Sequence, residues 1–186
     1  SAIKAVIVVH LYGNSAMIEK IADICKKRNV KLIEDCSQAH GTRRLGKHVG
    51  TFGDIGTFSF FPGKGIGAFG DAGACITMNK EYNDYISEAR SWKEDEIGYN
   101  YRMSNVLAAI GVAQMEVIEE RIKRTREVNK IYRKEVGNFF YSFQEERKKT
   151  NLSYKEINEK CFGSASNGGG MASNRRELCQ RLQRWS

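Results

Sequence analysis

Two short stretches decide the fold: Ala5-Val6-Ile7-Val8-Val9-His10 and, about twenty residues on, Lys31-Leu32-Ile33-Glu34. The first is a continuous apolar run, the pattern of a strand covered on both faces. The second is a short strand of the same kind. Between them, Ser15 is placed to cap a helix over 16–28, with Met17, Ile18, Ile21 and Ile24 as its apolar face. Lys26, Lys27 and Arg28 suit its C-terminal end, where cations meet the negative pole of the helix dipole. Strand, helix, strand in about thirty residues predicts a βαβ unit and a largely parallel sheet with right-handed crossovers.

Working outward, Gly41 to Gly73 holds ten of the eighteen glycines and the only proline, Pro62. It is interleaved with the aromatic run Phe58-Ser59-Phe60-Phe61. So long an irregular stretch inside a domain is expected to carry function. Ala74 to Met78 predicts the next strand, and Glu81 to Trp92 a helix. One long helix is expected over 104–136, burying Val106, Leu107, Ile110, Val112, Met115, Val117, Ile118 and Ile122. After Gly137 the periodicity decays, and Ser164 to Ser173 has linker composition. The expected organisation is an ordered unit over 1–136 and a weakly structured basic tail over 137–186.

The chain has 186 residues, room for one domain at about 100–200 residues each. Its net charge of +8 is unevenly spread. Residues 1–120 carry 14 Lys/Arg against 15 Asp/Glu, whereas 121–186 carry 16 against 7. The basicity therefore belongs to the C-terminal third. There Tyr132, Phe139, Phe140, Tyr141, Phe143 and Trp185 stand among Lys and Arg, a mixture that single-stranded nucleic acid favours. No nucleic-acid motif accompanies them, so this is the weaker alternative. No run approaches the ~18–20 apolar residues of a membrane span, and the N-terminus lacks the pattern of a secretion signal. Five cysteines without a C-x-x-C pair fit reduced thiols and a cytoplasmic location.

Two phosphate motifs fail on context. Gly65-Ile66-Gly67-Ala68-Phe69-Gly70 matches G-x-G-x-x-G, but a strand-like run follows where a dinucleotide fingerprint needs a helix. At Gly63-Lys64 a Walker loop would need Ser or Thr where Gly65 stands. His10, His40 and His48 have no ligand spacing, so no metal site is expected. Lys64 is different, because it lies between glycines after an aromatic strand. Glu34-Asp35 ends a parallel strand, where open α/β sheets gather ligand-binding groups, and Ser59 lies five residues before the lysine. A carboxylate, a hydroxyl and a lysine at one sheet edge are what pyridoxal phosphate requires.

Four blocks in order, Ile33 to Gly41, Gly50 to Gly56, Phe58 to Lys64 and Gly70 to Gly73, resemble the DegT/StrS-type sugar-nucleotide aminotransferases, a branch of the fold type I pyridoxal-phosphate enzymes. Ile97 to Asn105 with Leu107 to Ile110 is a further family block. With Gln114-Met115-Glu116 it is most similar to transaminases that make UDP-linked 4-amino-4,6-dideoxy-N-acetylglucosamine. The resemblance implies an α/β fold, the central part of the large domain, with a mostly parallel sheet and flanking helices. It implies pyridoxal 5'-phosphate as cofactor, and a UDP-linked 4-keto sugar and glutamate as substrates. Lys64 would form the Schiff base and then act as general acid and base. Asp35 would pair with the pyridinium nitrogen, Gln38 lie against the ring and Ser59 bind the phosphate. Asn100, with Arg102 beside it, would reach the phosphate of a neighbouring subunit, so a homodimer is expected. Members of the family are longer, and the chain is expected to be a fragment, inactive alone or acting as a non-catalytic binding partner.

Overall fold

The computed structural model describes residues 3–91, 93, 96, 98–136 and 150–151. Its centre is a four-stranded sheet in the order β1-β2-β5-β6, formed by β1 (Ala5–Val9), β2 (Lys31–Asp35), β5 (Ile55–Ser59) and β6 (Gly73–Ile76). The first three strands run parallel, with Ile7 opposite Ile33 and Ile33 opposite Ile55. β6 returns antiparallel on the far edge, pairing Thr57 with Cys75 and Ser59 with Gly73. The βαβ expectation and the mostly parallel α/β sheet are therefore met.

The crossover helix α1 spans Ile18–Lys27. Met17 is its N-cap and no side chain caps it. Ser15 is buried and donates to the Ala16 carbonyl at 2.6 Å, so the predicted serine cap does not form. The buried face is also rotated from the expected one. Ile18 and Cys25 are buried against Leu32, with Ile21, Ala22, Val6, Val8 and Phe52 packed around them. Met17 and Ile24 are exposed. Ile18, Ile21, Ala22 and Cys25 are spaced three, one and three residues apart, the helical stripe that faces one plane.

The glycine-rich stretch is more regular than the sequence suggests. It contains β3 (Arg43–Arg44) and β4 (Lys47–His48), a tight antiparallel hairpin, as well as β5. A two-residue strand β7 (Thr150–Asn151) pairs antiparallel with β3. Gly56 is required by close approach, because a Cβ there would overlap the carbonyl oxygen of Gly50. Arg44 fastens the hairpin to α1 through a two-pronged contact with Glu19, at 2.9 and 2.6 Å.

Helix α2 (Lys80–Ala89) begins on Asn79, whose side chain accepts from the Tyr82 amide. The predicted single helix over 104–136 is two: α3 (Asn105–Glu116) and α4 (Ile118–Val136), broken at Val117. Of the expected buried residues only Ile122 is fully buried, whereas Val106, Val112, Met115 and Val117 are exposed. The uninterrupted apolar pattern gives no sign of the break, because propensity is read locally and the bend is not. The expected tail over 137–186 lies outside the described residues, apart from Thr150 and Asn151.

Candidate functional site

The side chains of neighbouring strand residues point to opposite faces, and this separates Glu34 from Asp35. One face of the sheet carries Leu32 and Glu34 and is covered by α1. The other carries Ile7, Val9, Ile33, Asp35, Ile55, Thr57 and Ser59, where Ile7 and Val9 remain exposed. The two acids, expected together at a ligand edge, therefore have different tasks.

Glu34 is fully buried. Its Oε2 accepts from His10 Nε2 at 3.0 Å and from the Gly50 amide at 2.8 Å. Its Oε1 accepts from the amides of Phe52 and Gly53 at 2.6 and 2.7 Å. Burial pushes the carboxyl's pKa up, but His10 and the amides of Gly50, Gly53 and Phe52 outweigh it and leave it below the ordinary value. His10 is equally buried, and its Nδ1 accepts from the Ala16 amide at 3.2 Å. That acceptor role fixes a neutral imidazole with its proton on Nε2. Cys36 lies beside this pair, near enough that His10, Glu34 and Cys36 could together offer three ligands to a metal. The chemistry argues otherwise. Four donors already occupy the carboxylate, and burial, with Glu34 and Asp35 nearby, pushes the Cys36 thiol far up and keeps it protonated. The cluster is a hydrogen-bonded knot joining the end of β1, β2 and the loop before β5.

Asp35 is half-buried at the C-terminal end of β2 and accepts from the Ser37 amide at 2.9 Å. The turn it opens is closed by Ala39 N–H donating to the Cys36 carbonyl. In that turn Gln38 Oε1 accepts from the Tyr12 amide at 2.9 Å, tying it to the loop after β1. Ser59 ends β5 on the same face as Asp35, two residues past Thr57, the strand partner of Asp35. The chain then folds back: Lys64 N–H donates to the Phe61 carbonyl, Ala68 N–H to Phe60 and Phe60 N–H to Ala72, each at 2.8 Å. Lys64 is half-buried within this loop. The next element after Gly70 is β6, which confirms that the glycine motif opens no helix.

The structure thus brings Asp35, Gln38, Ser59 and Lys64 to one edge, the C-terminal ends of parallel strands. Asn100 and Arg102 are exposed on a segment tied to the end of α2, where Tyr99 and Tyr101 donate to the Ala89 and Arg90 carbonyls at 2.8 and 2.9 Å. What reaches the lysine loop from this side is the first turn of α3: a Cβ on Gly70 would meet Leu107 at 3.3 Å. The donor set fits pyridoxal phosphate in kind. A carboxylate can hold a ring N–H, a hydroxyl can bond to a phosphate, and an amine can condense with an aldehyde. One residue of the edge was overlooked in the sequence. His40 is buried, with its ring centroid 5.9 Å from Phe58 and 6.0 Å from Phe60. The signal was available, since Phe58 and Phe60 lie two residues apart and require a cover.

The sequence matches the DegT/DnrJ/EryC1/StrS aminotransferase family over residues 1–184. It is 42% identical to GDP-perosamine synthase of Escherichia coli O157:H7 over 152 residues, which are 77% of this chain and 42% of that protein. It is 38% identical to the UDP-4-amino-4,6-dideoxy-N-acetyl-beta-L-altrosamine transaminase of Campylobacter jejuni over 143 residues, 72% of this chain and 38% of that one. Among solved structures, an aminotransferase of this family from Brucella abortus superposes with a TM-score of 0.73 at 25% identity, over 82% of this chain and 42% of that one. DesV of S. venezuelae, solved in complex with a ketimine intermediate, gives 0.75 at 25% identity, over 82% of this chain and 43% of that one. The chain spans less than half the length of the curated relatives it matches. By sequence and by fold alike, the chain belongs to the DegT/DnrJ/EryC1/StrS aminotransferase family.

Proposed function

We propose that the chain carries the cofactor-holding edge of an aminotransferase that moves an amino group from glutamate to a nucleotide-linked keto sugar. The observation that carries this is that Asp35 and Ser59 end β2 and β5 on one sheet face, with the turn holding Gln38 directly after the first and the loop holding Lys64 directly after the second. Relatives are named for GDP-linked and UDP-linked amino sugars, so the substrate class is a nucleotide sugar, with the UDP-linked 4-keto sugar as its finer form. The reaction leaves 2-oxoglutarate and a sugar bearing the amine in place of its keto oxygen.

Pyridoxal 5'-phosphate, when bound, supplies the electron sink that makes this exchange accessible at neutral pH. Asp35, whose other carboxylate oxygen accepts from the Ser37 amide, would hold the ring nitrogen protonated. Gln38, whose Oε1 accepts from the Tyr12 amide, would lie against the ring. Ser59 Oγ would donate to the phosphate. Lys64 Nζ would hold the cofactor until the donor's amine displaces it, and as a free amine it would take the proton from the donor's amine-bearing carbon and, in the reverse half of the exchange, deliver one to the sugar carbon that gains the amine. Asn100 and Arg102, exposed beyond α2, would reach the phosphate held by a second subunit, which makes a homodimer the proposed active form. Exposed Val106, Val112 and Met115 on α3 support such a contact. Among the described residues no helix is long and apolar enough to cross a membrane, and we place the enzyme in the cytoplasm, with its nucleotide-sugar substrates.

The test is cofactor capture by the chain itself. Incubation with pyridoxal phosphate followed by borohydride should place a phosphopyridoxyl group on Lys64, read by peptide mass. Lys64→Ala should remove the label and Asp35→Ala should weaken it. Equal labelling of wild type and Lys64→Ala, on surface lysines alone, would defeat the proposal.

A further inference from the structure

The ring of His40 lies where three parts of the edge meet. It ends the turn that begins at Asp35 and holds Gln38. It packs on Phe58 and Phe60, which flank Ser59 on β5. From the loop side, a Cβ placed on Gly65 would come within 3.3 Å of His40 Cβ and 3.5 Å of its Nδ1. Gly65, next to Lys64, therefore rests directly on the histidine. Phe58 in β5 and Phe60 just beyond its end lie two residues apart, and a single ring spans both.

We propose that His40 is a positioning residue for Lys64: its ring is the spacer that sets the lysine loop against the Asp35–Gln38 turn. The inference rests on the amino-transfer proposal for its purpose, but not for its geometry. Four groups from three segments must hold a cofactor within a few tenths of an ångström of a working arrangement, and such precision needs packed support beneath the loop. Gly65 supplies the matching recess, because a side chain there would press on the ring and one of the two would have to give by a few tenths of an ångström. Its backbone is not in the left-handed region, so a side chain there would act on the loop through this contact rather than through backbone strain.

The experiment is a double-mutant cycle on the full chain with two readouts. Hydrogen exchange follows the Lys64 and Ala68 amides, whose partners are Phe61 and Phe60, against the β1–β2 ladder as internal reference. Borohydride trapping of pyridoxal phosphate follows Lys64 itself. His40→Ala should speed exchange at Lys64 and Ala68 by about tenfold or more relative to the ladder, and reduce trapping comparably. His40→Phe, which keeps a ring of similar breadth, should restore both. Gly65→Ala should disturb the loop from the opposite side. Combined with His40→Ala it should do less harm than the sum, since the new methyl enters the space the ring has left. Uniform acceleration of loop and ladder in His40→Ala, additivity of the two changes, or no rescue by phenylalanine would overturn the proposal. If wild type traps nothing at Lys64, the cofactor proposal fails, whereas the exchange data still decide whether His40 sets the loop.

Discussion

Replacing Glu34 by glutamine tests the buried knot most directly. The change keeps size and shape but turns one acceptor oxygen into a donor amide. Oriented with its oxygen toward Phe52 and Gly53, the new amide faces two donors, the Gly50 N–H and His10 Nε2–H. His10 can move its proton to Nδ1 and accept from the glutamine, but Nδ1–H then opposes the Ala16 N–H that now bonds to it. Either way two buried donors lose their acceptor. At about 1–3 kcal/mol for each orphaned group, the variant should lose about 2–6 kcal/mol. Against total stabilities of about 5–15 kcal/mol this is a large share. Urea unfolding followed by far-UV circular dichroism reads it as a lower midpoint at unchanged slope. The pH dependence follows from the depressed carboxyl. Its stabilisation is fully present above the ordinary value of 4.5 and is lost as pH falls through the lower, folded value. Wild type should therefore weaken on acidification below about pH 4.5, and Glu34→Gln should lack that component. A loss under ~1 kcal/mol, or identical acid profiles, would refute the assignment of Glu34 as an ionised hub.

Two further outcomes follow from packing. Leu32→Ala removes the side chain on which Ile18 and Cys25 close, and should cost about 2–5 kcal/mol in the same unfolding assay; a cost near zero would mean that α1 does not seal this face. Gly56→Ala drives a methyl into the Gly50 backbone and should cost more than ~3 kcal/mol, whereas Gly63→Ala, with open space around it, should stay within about 0.5 kcal/mol. Comparable thermal melts for the two alanine variants would contradict the close approach of β5 to the Gly50 turn.

Much of the fold was legible because its determinants are local. The apolar runs before His10 and Glu34 and the helix between them specify a parallel pair whatever else the chain does. The edge that gathers Asp35, Ser59 and Lys64 was legible for a related reason: parallel strands leave their C-terminal ends together. What escaped was set by partners distant in sequence. Glu34 looks like half of an acidic pair until strand alternation sends it inward to His10 and the 50–53 loop. Ile24 looks as buried as Ile18, but the stripe that meets Leu32 passes through Cys25 instead. The helix break at Val117 has no glycine or proline beside it to announce it, and Val106, Val112 and Met115, apolar but spread round α3, stay exposed among the described residues. His40 passed as one of three scattered histidines, because the rings it packs on, Phe58 and Phe60, lie on a different segment of the chain.

The row Ile7–Ile33–Ile55 has a consequence for how folding and ligand capture are coupled. Along β2 and β5 that row runs into Asp35, Thr57 and Ser59 on the same sheet face, so apolar floor and polar edge are one continuous surface. Any layer that shields the isoleucines from water must also form a wall beside Asp35. Burial of the floor and assembly of the pocket would then be linked. A molecule gripped at the edge would stabilise that layer, and the layer would tighten the grip by the same factor.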